Sequence, residues 1–376
     1  MKLDFLIRSL GRGGAERQLV LLARQLVRRG HQVRVLTFYG GGPLTADFVG
    51  TGVELVDLHK RGRWDVFPFL IRLVREVWAA RPDALLSYLT VPNLVGLSIR
   101  SVVPEAPLLW GVRSAGLDLH PYGRLAQMVY FLERTLSPWC DAAIFNSHAG
   151  LRYGLSAGFP ADRSQVVLNG IDTVAFTRDL AGREFWRRAW GVGPGQILVG
   201  LVARSDPAKG HEVFLQAAAN AASMDPRLQF VCVGDLGPSG LATLEALVAR
   251  LDLQGRIRFV PGQSHLAAVY SALDLLVSAS HSEGFSNVIA EAMACGTPCL
   301  VTDVGDSRAI VGETGGVVPP NDPEALCRMI LALLKDDLIQ LGRAAQHRVE
   351  SEFSSDVLAL RTEEIIQTCI HFRRRS

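Results

Sequence analysis

Short runs dominated by apolar residues alternate along this chain with longer stretches in which apolar residues recur every three or four positions. The short runs fall at Leu3–Ser9, Gln32–Phe38, Val53–Leu58, Ala84–Tyr88, Leu108–Val112, Ala142–Phe145 and Gln165–Leu168. A second series follows at Ile197–Val202, Leu228–Val233, Arg258–Val260, Leu275–Ser278 and Cys299–Thr302. Helical periodicity fills the gaps, for example over Ala15–Arg29 and Gly123–Ser137. Apolar strands separated by helices predict parallel sheets covered on both faces. There are too many strands for one compact sheet. The charged, glycine-ending stretch Thr173–Gly195 reads as a linker between two series. The predicted architecture is α/β: two Rossmann-like, doubly wound domains facing a cleft. The expected domains are 1–175 and 176–354, followed by a helical, basic tail at 355–376. Ligands of such sheets bind beyond the carboxyl ends of the strands.

Length and composition fit this reading. A chain of 376 residues with 48% hydrophobic content has material for two cores. A net charge of +2 gives no global pull toward nucleic acid. The six cysteines (Cys140, Cys232, Cys295, Cys299, Cys327, Cys369) lack metal-ligand spacing and read as buried free thiols in a reducing compartment. The chain opens directly into a strand, and no apolar run reaches the roughly 18 residues of a membrane span. A cytoplasmic location, at most peripheral at the inner membrane face, is therefore expected.

Two carboxylates eight residues apart carry the chemistry. Glu283 and Glu291 lie in Ser280-His-Ser-Glu-Gly-Phe-Ser-Asn-Val-Ile-Ala-Glu-Ala-Met-Ala-Cys-Gly-Thr-Pro298. Gly284 breaks the preceding strand, and Ser286 or Asn287 can cap a helix that Gly296 and Pro298 end. Glu283 is then in the loop and Glu291 within the helix. Between them, the free amides of Phe285, Ser286, Asn287 and Val288 form an anion-binding helix N-terminus. A phosphate flanked by two polyols, as in a nucleotide-sugar, suits this layout. A second anchor is Val199-Gly-Leu-Val-Ala-Arg-Ser-Asp-Pro-Ala-Lys-Gly-His211, where Arg204 offers a planar fork and Lys209 a point charge to a diphosphate. Gly234 and Gly262 end two further strands and are expected to line the nucleotide pocket. After the first strand, Ser9-Leu-Gly-Arg-Gly-Gly-Ala-Glu-Arg-Gln18 provides a glycine turn at Gly11, Gly13 and Gly14. Its spacing is not that of a nicotinamide fingerprint, and no acidic residue ends the second strand.

These motifs resemble the donor-site signature of the retaining glycosyltransferases of family 4, which have the GT-B fold. The resemblance covers essentially the whole chain. It implies that Glu283 lies near the donor sugar, that Gly284 and the following amides meet the diphosphate, and that Glu291 binds the ribose. Gly13 and Gly14 are implied to face the donor phosphates, and the final helix to cross back onto the first domain. Many relatives place a His after the fifth strand to contact the donor sugar. This chain departs from them: Trp110-Gly-Val-Arg-Ser-Ala-Gly-Leu-Asp-Leu-His120 has Arg113 at the strand end and His120 seven residues later. Arg113 and His120, then Asp118, are the candidate residues of that loop. Asn146 and Asn169 are expected to organise neighbouring loops.

The expected function is transfer of a sugar, with retention, from a UDP- or GDP-sugar co-substrate to an acceptor hydroxyl. Neither a metal nor a further cofactor is expected. The acceptor is expected to be lipid-linked or a polysaccharide, in bacterial-type surface polysaccharide or glycolipid assembly. A nucleotide-sugar epimerase on the same fold and a non-catalytic nucleotide-sugar binder are the alternatives. The stretch from Lys60 to Trp78 mixes Lys60, Arg61, Arg63 and Arg72 with Trp64, Phe67 and Phe69. It reads either as a core-facing helix with a solvated basic face or as a contact with an anionic membrane. Arg183–Trp190 is a weaker second candidate for such a contact.

Overall fold

The computed structural model describes residues 1–113 and 123–375. The chain divides into two compact units: Met1–Gly170 with Ser355–Ser376, and Ile171–Ser354. The first division thus falls at Gly170 rather than at residue 175.

Unit 1 is built on strands β1 (Lys2–Ile7), β2 (Gln32–Thr37), β3 (Glu54–Asp57), β4 (Ala84–Tyr88), β5 (Leu108–Val112), β6 (Ala142–Phe145) and β7 (Ser164–Val166). They form one parallel sheet in the order β3-β2-β1-β4-β5-β6-β7. The connecting helices are α1 (Gly14–Arg28), α2 (Phe67–Ala80), α3 (Thr90–Ile99), α4 (Gly123–Leu136) and α5 (His148–Ser156). Helix α1 buries Leu19, Leu22, Ala23 and Leu26 against Leu3, Phe5 and Ile7 of β1. That spacing is one helical face, and each of the leucines contributes about 1.5–3 kcal/mol on burial. Gly30 stops α1 with φ +85°, where a glycine escapes the left-handed penalty; its amide reaches Val27 O and that of His31 reaches Leu26 O. The opposite face of the sheet is covered by α2, through Phe69, Leu73 and Val77, and by Ile99 of α3.

Unit 2 contains β8 (Ile197–Val202), β9 (Leu228–Val233), β10 (Ile257–Val260), β11 (Leu275–Ser278), β12 (Cys299–Thr302) and β13 (Gly316–Val318). Their order is β10-β9-β8-β11-β12-β13, again parallel. The near-continuous apolar strings of β8 and β9 follow from burial on both faces. Its α-helices are α6 (Leu180–Ala189), α7 (His211–Met224), α8 (Gly237–Arg250), α9 (Leu266–Ala272), α10 (Asn287–Ala294), α11 (Ser307–Val311), α12 (Pro323–Leu333) and α13 (Leu338–Glu352). The chain then returns to unit 1 as α14 (Ser355–Arg373), which buries Leu358, Ala359, Ile365 and Ile366 in the α1 core. Gln25 donates to Ser355 Oγ at 2.6 Å, and Arg373 grips Asp141 at 2.9 and 3.0 Å.

The stretch expected to be a linker is instead a helix of unit 2. Asp179 caps α6, accepting from Gly182 N at 2.8 Å. Arg183 donates to the carbonyls of Ser271, Ala272 and Leu273, and Arg183 and Arg187 bracket Asp274 at 2.6 and 2.8 Å. Gly191, with φ +64°, is the stop signal of that helix, not a flexible joint. The three-residue edge strand β13 was not among the expected strands, because Gly316-Val-Val is too short to show alternation.

Candidate functional site

In unit 2 the strand order reverses between β8 and β11, and the loops following these two strands interlock. Gly210 has φ +66°, and a Cβ there would lie 1.9 Å from Ala279 O. His281 N donates to Ala208 O at 2.7 Å. Across this switch point Lys209 Nζ donates to Glu283 Oε1 at 2.7 Å. Ser280 Oγ donates to the same oxygen at 2.8 Å. The loop after β11 is fixed from behind. Thr302 Oγ1 donates to Ser280 O at 2.6 Å, and Asp306 N to Gly284 O at 3.0 Å. Gly305, with φ +58°, packs so closely that a Cβ would meet Glu283 O at 2.2 Å. The two candidate charges are thus held on backbone that tolerates little movement, in the position where doubly wound sheets bind ligands.

The other candidates of this unit are distributed around that pair. Arg204 follows β8, is 78% exposed and stands 3.7 Å from Asp206. Gly234 adopts φ +154°, and a Cβ would strike Ala203 O at 2.0 Å, so the β9 loop lies directly on the β8 loop. Gly262 N donates to Asp235 Oδ1 at 3.0 Å, tying the β10 and β9 loops together. Ser286 is the N-cap of α10, although its side chain makes no capping hydrogen bond. Phe285 is buried edge-on against Phe353, with 5.7 Å between ring centres, while Asn287 and Val288 are half-buried. Glu291 is inside α10 and only 6% exposed, and Tyr270 of α9 donates its hydroxyl to Oε2 at 2.8 Å. Burial also pushes the nearby Cys295 thiol up to about 12, with Glu291 adding to the effect. His211, at the start of α7, is buried, and desolvation lowers its pKa below the ordinary histidine value.

Unit 1 has a second set of candidates at its own strand ends. Arg113, after β5, lies over the Tyr88 ring at 4.7 Å and donates from Nη1 to Asn169 Oδ1 at 3.1 Å. Leu89, next to Tyr88, has φ +76°, a costly conformation for a residue with a Cβ. Gln18 pairs both of its amide atoms with the backbone of Gly170, each at 2.8 Å. Gln18 therefore fixes the turn that presents Asn169 to Arg113. The glycine turn does not depend on left-handed backbone. None of Gly11, Gly13 and Gly14 has positive φ. Gly13 has φ −73° and ψ 163°, and a Cβ on it would meet Glu16 Oε2 at 2.1 Å. His120 and Asp118 lie outside the described residues. Ser147, beside Asn146, caps α5 by accepting from Gly150 N at 2.9 Å.

Sequence reasoning missed Tyr270, Thr302, Gly305 and Leu89. None belongs to a recognisable motif, since each acts by a contact far along the chain or by its backbone angle. Gln18 closes the glycine-turn motif and was legible in that position, though its partner was not. The six cysteines are buried and free. Among the described residues no group of three His, Cys, Asp or Glu side chains converges as metal ligands would. The stretch 60–78 is divided. Phe69, Leu73 and Val77 enter the core, while Trp64, Phe67, Ile71 and Trp78 stay exposed. Arg72 is held by Leu58 O, His59 O and Asp65. In the second candidate stretch Arg183 and Arg187 are likewise taken by unit 2 itself.

Comparison with known proteins identifies the family and the fold. Residues 12–175 match the family described as Glycosyltransferase Family 4, and residues 196–336 match Glycosyl transferases group 1. Curated relatives include the D-inositol 3-phosphate glycosyltransferases of Mycolicibacterium gilvum (35% identical, covering 53% of this chain and 46% of the relative) and Streptomyces bingchenggensis (34% identical, covering 56% and 49%). The chain spans about half the length of these relatives. Among solved structures, Anabaena HepE in complex with UDP superimposes with a TM-score of 0.84 at 22% identity, over 98% of this chain and 100% of that one. The lipopolysaccharide glycosyltransferase WaaG does so with a TM-score of 0.68 at 17% identity, over 96% and 99%. These structural likenesses establish the GT-B fold.

Proposed function

This chain belongs to the family 4 type of glycosyltransferases, and from that premise we propose that it moves a sugar, with retention, from a nucleotide diphosphate-sugar to an acceptor hydroxyl. The observation that carries the proposal is the Lys209–Glu283 bond at the switch point between β8 and β11. A lysine held by a carboxylate is a cation with a partner it can exchange. When a donor diphosphate arrives, Lys209 turns to it. Glu283, still held by Ser280, is then free to accept from sugar hydroxyls. Arg204, exposed beside this point, adds a second cation, and the N-terminus of α10 adds backbone donors.

Charge grows on the diphosphate as the sugar leaves. Lys209, Arg204 and the α10 amides oppose it without reorganisation, because their loops are already fixed. Glu291, oriented by the Tyr270 hydroxyl, is assigned to the ribose. Retention then follows front-face departure and attack. Arg113, on Tyr88 and Asn169, is assigned to the sugar-transfer region of unit 1, with His120 and Asp118 as further candidates. The reaction is proposed to need no metal.

UDP, glucose and UDP-glucose accompany the HepE structures, which supports a nucleotide-sugar donor here. The named relatives act on an inositol phosphate or belong to lipopolysaccharide assembly, which supports a polyol or glycolipid acceptor. Contact of the Trp64–Phe67 region with an anionic leaflet, as expected from the sequence, belongs to the same reading. No helix among the described residues is long and apolar enough to cross a membrane.

The test is incubation with UDP- and GDP-sugars, with and without polyol-phosphate and lipid-linked acceptors, in EDTA, followed by mass measurement. Transfer of one hexose to an acceptor is expected. Epimerisation of the donor alone, or binding of donors without turnover on any acceptor, would overturn the proposal.

A further inference from the structure

We propose that Arg113 is the receptor for a carboxylate carried by one of the two substrates, so that either donor or acceptor is an acidic sugar of the uronic acid type. The inference rests on the glycosyl-transfer reading above and names a substrate class that this reading leaves open.

Arg113 is the first residue after β5, at the carboxyl end of the unit 1 sheet, where such sheets bind ligands. Two neutral groups place its guanidinium. The Tyr88 ring lies under it, 4.7 Å from the ring centre, and Asn169 Oδ1 accepts from Nη1 at 3.1 Å. Tyr88 and Asn169 are buried, and each is fixed in turn. Tyr88 packs on Phe5 with 6.1 Å between ring centres, and a Cβ on Gly111 would come within 3.2 Å of its ring. Beside it, Ser87 donates to Asn93 Oδ1 at 2.8 Å and Asn93 to Glu133 at 2.7 Å. That buried chain ties the end of β4 to α3 and α4. Asn169 precedes Gly170, whose backbone Gln18 holds on both sides. A flexible side chain seated in this way has lost much of its rotamer freedom before a ligand binds.

The seat supplies no counter-charge. Arg34, Arg72, Arg183, Arg187 and Arg373 are half-buried as Arg113 is, and each faces a carboxylate at 2.9 Å or less. Among the described residues no carboxylate lies within ion-pair distance of Arg113, and its buried Nε makes no hydrogen bond. A half-buried cation without an anion destabilises a fold, and such departures concentrate where a ligand completes the arrangement. Charge and shape select the ligand. One guanidinium balances one carboxylate, and its planar fork accepts two coplanar oxygens side by side. A phosphate monoester would call for further cations, and Tyr88 and Asn169 supply none. A neutral hexose would leave the charge unanswered.

The experiment is titration calorimetry on the full chain with matched neutral and acidic sugars, in the gluco and galacto series. The donor arm compares UDP-hexose with UDP-hexuronate. The acceptor arm compares methyl hexoside with methyl hexuronide in the presence of UDP. Wild type is expected to bind the acidic member of one arm about tenfold more tightly, the size of one charge-assisted contact. The arm that shows the preference identifies the substrate bearing the carboxylate. Arg113→Gln should abolish the preference, and Arg113→Lys, which keeps the charge without the fork, should restore only part of it. Circular dichroism checks the fold of each variant. Three results would overturn the proposal: no preference for the acid in either arm, a preference that survives Arg113→Gln, or one that appears only in Asp118→Asn. The last would mean that the chain itself supplies the anion. An Arg113-dependent preference for the hexuronide without any binding of UDP would instead sink the transfer reading and leave the receptor standing.

Discussion

Lys209 and Glu283 lie 74 residues apart in sequence, yet their side chains meet at 2.7 Å on either side of the strand-order reversal in unit 2. The bond means that the proposed donor-site cation and the proposed donor-site carboxylate hold each other. Breaking one partner should therefore change the other.

Glu283→Gln keeps the shape and the Ser280 contact but removes the charge facing Lys209. Turnover should fall by at least tenfold, the order of a lost transition-state contact. Nucleoside diphosphate affinity should hold or improve, since Lys209 no longer has a competing carboxylate. Steady-state kinetics beside UDP titration separates the two effects, and a parallel loss of affinity would count against the exchange.

Tyr270→Phe leaves Glu291 Oε2 without its hydroxyl donor inside α10. A hydrogen bond to a charged group is worth about 1.5–3 kcal/mol, so urea unfolding should show a loss of up to that size. Glu291→Ala should also weaken nucleoside diphosphate binding by roughly 1.5–3 kcal/mol, the value of a charge-assisted hydrogen bond. Calorimetry on the folded variants checks this, and undiminished affinity would remove Glu291 from the ribose.

Gly210→Ala combines φ +66° with a Cβ placed 1.9 Å from Ala279 O. The left-handed term alone costs about 1–2 kcal/mol, and the overlap forces the β8 and β11 loops apart. Stability and turnover should both fall. Gly237→Ala is the control: it shares φ +66° but has nothing near its Cβ, so it should lose stability only.

Glu133 gives a pH signature. Burial raises its pKa above the ordinary value of 4.5, outweighing the hydrogen bonds from Asn93 and Thr90. The folded chain therefore holds this proton more tightly than the unfolded chain. Its contribution to stability is lost as pH rises from the unfolded value toward the higher folded one. Glu133→Gln keeps an acceptor for Asn93 and cannot ionise. Unfolding free energy should fall less with pH above about 4.5 in the variant than in wild type. Equal slopes would show that Glu133 does not titrate on unfolding.

Much of this was legible in sequence for physical reasons. The strands Ile197–Val202 and Leu228–Val233 stand out because both faces of a parallel sheet are buried, which leaves an unbroken apolar string. Glu283, Lys209 and Arg204 were legible as residue types on strand-end loops. The Lys209–Glu283 and Tyr270–Glu291 bonds were not, because no local pattern reports a contact between distant segments. Leu89 gives no hint of its positive φ, since a leucine is not a turn signal. The Thr173–Gly195 stretch misled because Gly191 and Gly195 stop a helix as readily as they loosen a linker. Arg183 and Arg187, expected in a weaker candidate for membrane contact, are instead paired with Asp274, a partner far along the chain.

Lys209 and Glu283 are proposed as the heart of a nucleotide-sugar site. Titration of UDP and then GDP, in EDTA, into wild type and Lys209→Met decides this. One nucleotide should bind wild type, and Lys209→Met should weaken it by at least tenfold, the loss of one charge-assisted contact. Absence of binding by both nucleotides, or equal affinity in the two proteins, would contradict it.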